Sequence, residues 1–279
     1  MADIASISSG LHLGEDGIWH GAGREAVSYP ADGNAACFGI EDRSFWFRHR
    51  NECIATVVRN FPPEAGEAIF DIGGGNGYVA AGLMKAGFDV VLIEPGPSGA
   101  ANARKRGVKD VICATTETAN FRPHSLGAIG LFDVVEHVED DAAFLGSMRA
   151  LLKTGGRLYA TVPAYASLWS DEDEHAGHFR RYTAGSFCAA LRTAGFAVEF
   201  SSYIFRPLPL PILLGRALPY RLRGTKPAGT AREEGGDHKV QGGLATRVLE
   251  SVLQTEIANL ANRRPMRFGG SCLVAARAV

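Results

Sequence analysis

Ile69-Phe70-Asp71-Ile72-Gly73-Gly74-Gly75-Asn76-Gly77-Tyr78-Val79 decides the fold. A short apolar run carries one acid, four glycines follow within five positions, and a helix-compatible apolar run begins. The pattern predicts a β-strand, a tight turn and a helix N-terminus. Glycine lacks a Cβ, so the turn can reach positive φ and let a ligand approach the backbone. The helix start adds unpaired N–H groups and partial positive charge. Such a turn suits a nucleotide-like cofactor.

Strand and helix patterns alternate on both sides of it. Ala68–Ile72, Asp89–Ile93, Val111–Ala114, Leu126–Phe132 and Arg157–Val162 read as strands. Gly77–Ala86, Ala100–Arg106 and Asp140–Leu152 read as helices between them. Repeated βα units imply a largely parallel sheet with helices on both faces, a Rossmann-like α/β core. Upstream, residues 1–40 read as an irregular arm with room for a short hairpin. A helix over 43–60 ends at Phe61-Pro62-Pro63. Downstream, 164–182 reads as a loop and Thr183–Ala194 as a helix. Phe196–Tyr203 is a strand, Leu244–Asn262 an amphipathic helix and Ser271–Ala276 a closing strand. The expected organisation is an arm and cover helix (1–62), a cofactor-binding core (63–203), a lid or insert (204–267) and a final strand returning to the sheet (268–279).

The totals restrict the class. The 279 residues carry 29 Lys and Arg against 30 Asp and Glu, so no global charge attracts nucleic acid. Cys37, Cys53, Cys113, Cys188 and Cys272 are scattered, without the paired spacing of a zinc ribbon or a disulfide framework. No secretory leader is visible, and no run reaches the roughly 18–20 apolar residues of a bilayer span. The expectation is a cytoplasmic protein.

Three cofactors compete for the turn. A phosphate loop needs Gly-Lys-Ser/Thr after the glycines, and Tyr78-Val79 stands there. Gly75-Asn76-Gly77-Tyr78-Val79-Ala80 satisfies GxGxxA, which leaves a nicotinamide-dependent oxidoreductase as one alternative. The third is S-adenosylmethionine. Asp71 stands where a carboxylate can meet an ammonium group, and Glu94 ends the next strand where it can accept from two ribose hydroxyls.

Three segments then resemble class I S-adenosylmethionine-dependent methyltransferases, in their small-molecule (type 11/23-like) branch. Phe70–Gly77 is similar to motif I. Leu131-Phe132-Asp133-Val134-Val135-Glu136-His137-Val138-Glu139-Asp140-Asp141 is similar to FDVLEHVxDD. Leu151-Leu152-Lys153-Thr154-Gly155-Gly156 is similar to LLKPGG, with Thr for Pro. The resemblance implies a seven-stranded sheet with an antiparallel last strand. It also implies a cofactor site of Asp71, Gly73, Gly74, Gly75, Gly77 and Glu94, with Asp133 beside the methionine part. Trp46 and Arg50, four apart on one helix face, would cover the pocket, with Arg50 or Arg48 meeting the methionine carboxylate. The usual acid after the third strand is replaced by Ala114-Thr115-Thr116.

Trp169-Ser170…Asp173…Gly177-His178-Phe179-Arg180-Arg181-Tyr182 resembles a WxxxDxxxGHxRRY pattern found above the methyl donor in a subset of these enzymes. It implies His178 as a base oriented by Asp173, with Trp169, Arg181 and Tyr182 at the acceptor. The alternative is that arginines and carboxylates pair to fix the loop. His137 is a second candidate base beside Glu136, or part of a structural pair with it. Asp171, Asp173, His175 and His178 have ligand-like spacing but no second cluster, so no metal is expected. The Pro207–Leu214 stretch reads as core packing, a homodimer contact, or an apolar lid for a hydrophobic or lipid-linked acceptor. The expected activity is methyl transfer from S-adenosylmethionine to a hydroxyl or amine of a small molecule. A cofactor-binding protein without turnover is the other alternative.

Overall fold

The computed structural model describes residues 3–22, 38–223 and 244–279. Cys37 and most of the Gly- and charge-rich 221–243 stretch lie outside them. The sheet has nine strands: β1 (Leu11–Leu13), β2 (Trp19–Gly21), β3 (Ile69–Ile72), β4 (Val90–Ile93), β5 (Asp110–Cys113), β6 (Leu126–Phe132), β7 (Leu152–Pro163), β8 (Phe196–Ile204) and β9 (Ser271–Ala278). Their order is β1-β2-β5-β4-β3-β6-β7-β9-β8. β3, β4, β5, β6 and β7 run parallel, and β9 is antiparallel to both β7 and β8. Seven strands match the expectation. The other two form the hairpin that the arm had room for, with β2 parallel to β5 through Trp19 opposite Ile112.

The central strands are uniformly apolar because both sheet faces are covered; every residue of β3, β4 and β6 is buried. β3 lies between β4 and β6, so the chain order reverses there. A crevice opens beyond the carboxyl ends of the strands at that point.

Helix α1 (Phe45–Asn60) starts at Ser44, whose hydroxyl accepts from the Trp46 amide at 3.2 Å. It buries Cys53, Ile54, Val57 and Val58 against one sheet face. Helices α2 (Tyr78–Lys85), α3 (Pro97–Lys105) and α4 (Asp141–Leu151) follow β3, β4 and β6. The 164–182 segment departs from the loop expectation. Asp171–Ala176 forms a short helix, α5, because the Asp173 carboxylate accepts from the Ser170 amide at 2.9 Å and closes its first turn. Helix α6 (Ala184–Thr193) leads into β8. A helical strap follows, Pro209–Ile212, a π turn at Leu213–Ala217 and Leu218–Arg223. The long helix α7 (Leu244–Ala261) then sets Leu249, Leu253, Ile257 and Leu260 against α1's side of the core.

Candidate active site

A cavity of about 1200 Å³ opens over the carboxyl ends of β3, β4, β6 and β7. Its floor is the glycine turn. Gly73, Gly75 and Gly77 have φ of 68°, 53° and 77°. A Cβ on Gly74 would lie 2.8 Å from Leu92 Cδ1 and 2.9 Å from Asp71 Oδ2, so a side chain has no room there. The Gly75 amide donates to Glu94 Oε2 at 2.9 Å and the Gly96 amide to Glu94 Oε1 at 2.7 Å. These two bonds hold the Glu94 carboxylate at the end of β4, on the cavity wall.

Asp71 is 1% exposed, and its Oδ2 has no hydrogen-bond partner among the described residues. Burial pushes its carboxyl up to about 7, partly offset by the nearby Arg50 charge. An orphaned buried carboxylate oxygen beside a glycine cradle fits a ligand that brings its own cation. Asp71, the turn and Glu94 therefore fit the amino acid and ribose parts of S-adenosylmethionine.

The cover helix closes one side. Arg50 Nη1 pairs with Asp133 Oδ2 at 2.7 Å, and its guanidinium lies 4.9 Å from the Trp46 ring centroid. Trp46 stacks on Phe205 at 5.4 Å. Asp133 follows β6 with φ of 58°, a conformation uncommon outside glycine. Asn51 Nδ2 donates to the Tyr78 carbonyl at 2.8 Å and ties α1 to the start of α2.

One network was not visible in the sequence. Asn76, 2% exposed within the turn, donates to Glu41 and accepts from Asn102. Arg106 pairs with Glu41 at 2.6 Å and Asp42 at 2.8 Å, and lies over the Phe38 and Tyr78 rings. The 38–42 segment is thereby fastened onto the turn and the far end of α3. Asn76 was the only local signal, a polar side chain inside a glycine run. Its partners stand tens of residues away.

On the opposite wall stand Glu136, His137, Asp173 and His178. His178 Nδ1 meets Asp173 Oδ1 at 2.8 Å, and Arg181 Nε donates to the same oxygen at 2.7 Å. Burial would raise the Asp173 carboxyl, but these hydrogen bonds outweigh it and hold it below the ordinary carboxylate range. The His137 ring stands edge-on to His178 at 4.7 Å, and burial together with the His178 charge pushes His137 down to about 4. Burial raises the Glu136 carboxyl well above its usual value, and Asp133 adds to this. Glu136, His137 and His178 can each offer one ligand atom, all within 4.8 Å of one another, so this wall could hold a metal ion.

The cavity thus brings together Trp46, Arg50, Asp71, Gly73, Gly74, Gly75, Glu94, Asp133, His137, Asp173, His178 and Arg181. Arg48, the alternative to Arg50, lies outside its lining and donates to the Arg43 carbonyl at 3.0 Å. Three further predicted residues lie outside it. Gly77 is the N-cap of α2, with its Cα packed toward Ala103. Tyr182 is buried, with its hydroxyl donating to Asp141 Oδ2 at 2.6 Å and its ring against Phe187. Trp169 is half-buried beside the cavity rather than on it. Ala114, Thr115, Thr116 and the exposed Glu117 line the end beyond β5, so an acid does stand there, in the short helix Thr116–Ala119. Phe144, Phe179, Leu208, Pro211 and Ile212 make an apolar end, and Arg216 lines it too.

The methyltransferase domain model matches residues 45–199, more than half of the chain and most of the cavity lining; Glu41, the strap residues and Gly270-Ser271 lie outside it. The chain belongs to that family and is a class I S-adenosylmethionine-dependent methyltransferase. A probable S-adenosylmethionine-dependent methyltransferase of Mycolicibacterium smegmatis is 24% identical over 63% of this chain and 68% of its own length. The ubiquinone biosynthesis O-methyltransferase of Xylella fastidiosa is 30% identical over 36% of this chain and 43% of its own. The chain thus matches less than half the length of that relative. Among solved structures, Haemonchus contortus phosphoethanolamine N-methyltransferase 2 with S-adenosylmethionine superposes with a TM-score of 0.54, at 20% identity, over 90% of this chain and 58% of that one. A geranyl diphosphate methyltransferase superposes with a TM-score of 0.52, at 15% identity, over 84% and 78%. The nicotinamide alternative for the Gly75–Ala80 turn falls with the family.

Proposed function

We propose that this methyltransferase acts on a hydroxyl or amine of a small acceptor with a large apolar part, and that His178 is the base. The observation that carries the reading is the Asp173–His178 pair, set in the cavity wall beside an apolar end. With Nδ1 committed to Asp173, the Nε2 nitrogen is left to take a proton. The ionised Asp173 stabilises the imidazolium that results.

When bound, S-adenosylmethionine supplies an electrophilic methyl group and a leaving thioether that needs no acid. The protein's part is position and proton removal. In this reading Asp71 takes the donor's ammonium group, Glu94 its ribose hydroxyls and Arg50 its carboxylate, while Thr115, Thr116 and Glu117 border the adenine. Trp46 and Phe205 shut the cover helix over the site. Phe144, Phe179, Leu208 and Ile212 receive the acceptor's apolar part. The O-methyltransferase relatives favour a hydroxyl, and the apolar lining favours an aromatic or prenyl body.

A second reading rests on the grouping of Glu136, His137 and His178, in which a divalent cation rather than a base acidifies the acceptor hydroxyl. Transfer of labelled methyl to apolar phenols, measured before and after chelation, separates the two. Activity lost on chelation and restored by magnesium or manganese supports the cation; chelation-resistant activity that disappears in His178→Ala supports the base. No transfer to any apolar phenol or amine would remove the acceptor proposal and favour a binding protein without turnover.

A further inference from the structure

Eight large apolar residues are exposed among the described residues; four lie on the strap beside the cavity, Phe179 lines the cavity, and Phe268 lies against Arg206 at the start of the strap segment. Leu210, Leu214, Leu218 and Leu222 are 63%, 57%, 37% and 85% exposed, and Phe179 and Phe268 join them at 46% and 48%. The other two are Leu13, at the far edge of the sheet, and the C-terminal Val279.

The four leucines recur every fourth residue along the strap. A step of four overshoots the 3.6-residue α-turn by about 40°. The π turn at Leu213–Ala217, with its wider i→i+5 bonding, takes back part of that drift and keeps the row together. Leu208, Pro211, Ile212, Gly215 and Arg216 of the same segment line the cavity. The strap therefore presents one face to the acceptor end of the cavity and an apolar row to the outside. It is held in that attitude by Tyr220 donating to Glu174 and by Arg221 donating to the Ser167 carbonyl at 3.0 Å.

We propose that this row is an interfacial contact with an anionic lipid surface, and that the acceptor enters the cavity from that surface. Charge selects the occupant. From Arg206 to Leu222 the strap has three arginines and no acid. Arg216 turns to the cavity, but Arg206 lies over the Phe268 ring and the exposed Arg221 flanks the leucine row, while Glu174 of the neighbouring helix is engaged by Tyr220. A second copy seated through this face would set these arginines against each other, whereas an anionic headgroup layer complements them. No helix among the described residues is long and apolar enough to cross a membrane, so the strap lies in the interface rather than spanning it. An apolar acceptor would then pass from the acyl boundary to Ile212 and Phe179 without crossing water.

The inference rests on the apolar-acceptor reading only for the route; surface binding itself is independent of turnover. The test is flotation of the whole chain with vesicles of phosphatidylcholine containing phosphatidylglycerol, and with phosphatidylcholine alone. Wild type is expected to float with the anionic vesicles and to be released by salt. Leu214→Glu/Leu222→Glu, at positions that do not line the cavity, should lower partitioning roughly 100-fold. Calorimetric binding of S-adenosylhomocysteine should stay unchanged in the variant, which shows that it folds. Leu13→Glu should partition like wild type. Wild type that stays with the soluble fraction overturns the proposal. So does undiminished partitioning of the double variant, or a wild-type dimer by light scattering that the double variant turns into monomer. Weak turnover on phenols with intact vesicle binding would fault the acceptor reading and leave the surface standing.

Discussion

Glu256 Oε2 lies 2.9 Å from His49 Nε2, joining α7 to the cover helix across 207 positions of sequence. The same carboxylate accepts from the Phe205 amide at 2.8 Å and the Arg206 amide at 2.7 Å, and it is fully buried. One side chain therefore fixes α1, α7 and the root of the strap. Phe205 itself stacks on Trp46 at the cavity wall. Glu256→Ala leaves one buried amide, one half-buried amide and a buried imidazole without their acceptor. It should cost about 3–5 kcal/mol in a denaturant melt. A loss under about 1 kcal/mol would show that the joint carries no strain-bearing role.

The Arg50–Asp133 pair joins α1 to the end of β6 across the site. Arg50→Met keeps the stem over Trp46 and removes the charge. S-adenosylhomocysteine affinity should fall roughly tenfold, in line with loss of a charge-assisted contact, while thermal stability changes little. Calorimetry decides this; an unchanged affinity would detach Arg50 from the donor site.

With Asp71 at the proposed donor site, donor binding is expected to depend on pH. Its carboxyl titrates near 7 in the free protein, and an ammonium is held best by the ionised form. Affinity for S-adenosylhomocysteine should thus rise from pH 6 to pH 8 and level off above, and the rise should vanish in Asp71→Asn. Stability moves the other way. The folded value lies above the unfolded one, so this group's contribution is complete at low pH and is lost as pH rises through about 7. Asp71→Asn should therefore melt higher than wild type at pH 8 while binding the product weakly, as calorimetric scans would show.

His178→Ala and Asp173→Asn should cut turnover by roughly 100- to 10,000-fold with product affinity retained. His137, pushed down to about 4, stays neutral across the working range. His137→Gln should consequently leave the shape of the pH–rate profile unchanged above pH 6. A changed profile would move the proton-accepting role to His137.

Much of the cavity floor is legible in the sequence because it is local. Asp71, the glycines and Glu94 stand at strand ends that apolar runs and turn residues mark out. Helix α5 was missed because Asp171–Ala176 has no apolar period, although Ser170 and Asp173 stand at capping spacing. Tyr182 looked like an acceptor contact from its motif. Its hydroxyl instead serves Asp141 at the start of α4, a pairing made across the sheet edge that local sequence does not encode. The Asn76–Glu41–Arg106 network was hidden for the same reason. Its members come from the arm, the turn and α3.

The β1–β2 hairpin bears on how the chain behaves as well as on its fold. Without it, β5 would end the sheet with a row of unpaired amides and carbonyls, an invitation to pair with another chain. With it, the outermost strand is the three-residue β1, bearing His12 and ending at Leu13 just before Gly14, too short to template much association. Residues 11–21 therefore act as a selvedge for the sheet, and trimming them should leave the cavity floor intact while making the protein aggregate, as light scattering over time would show.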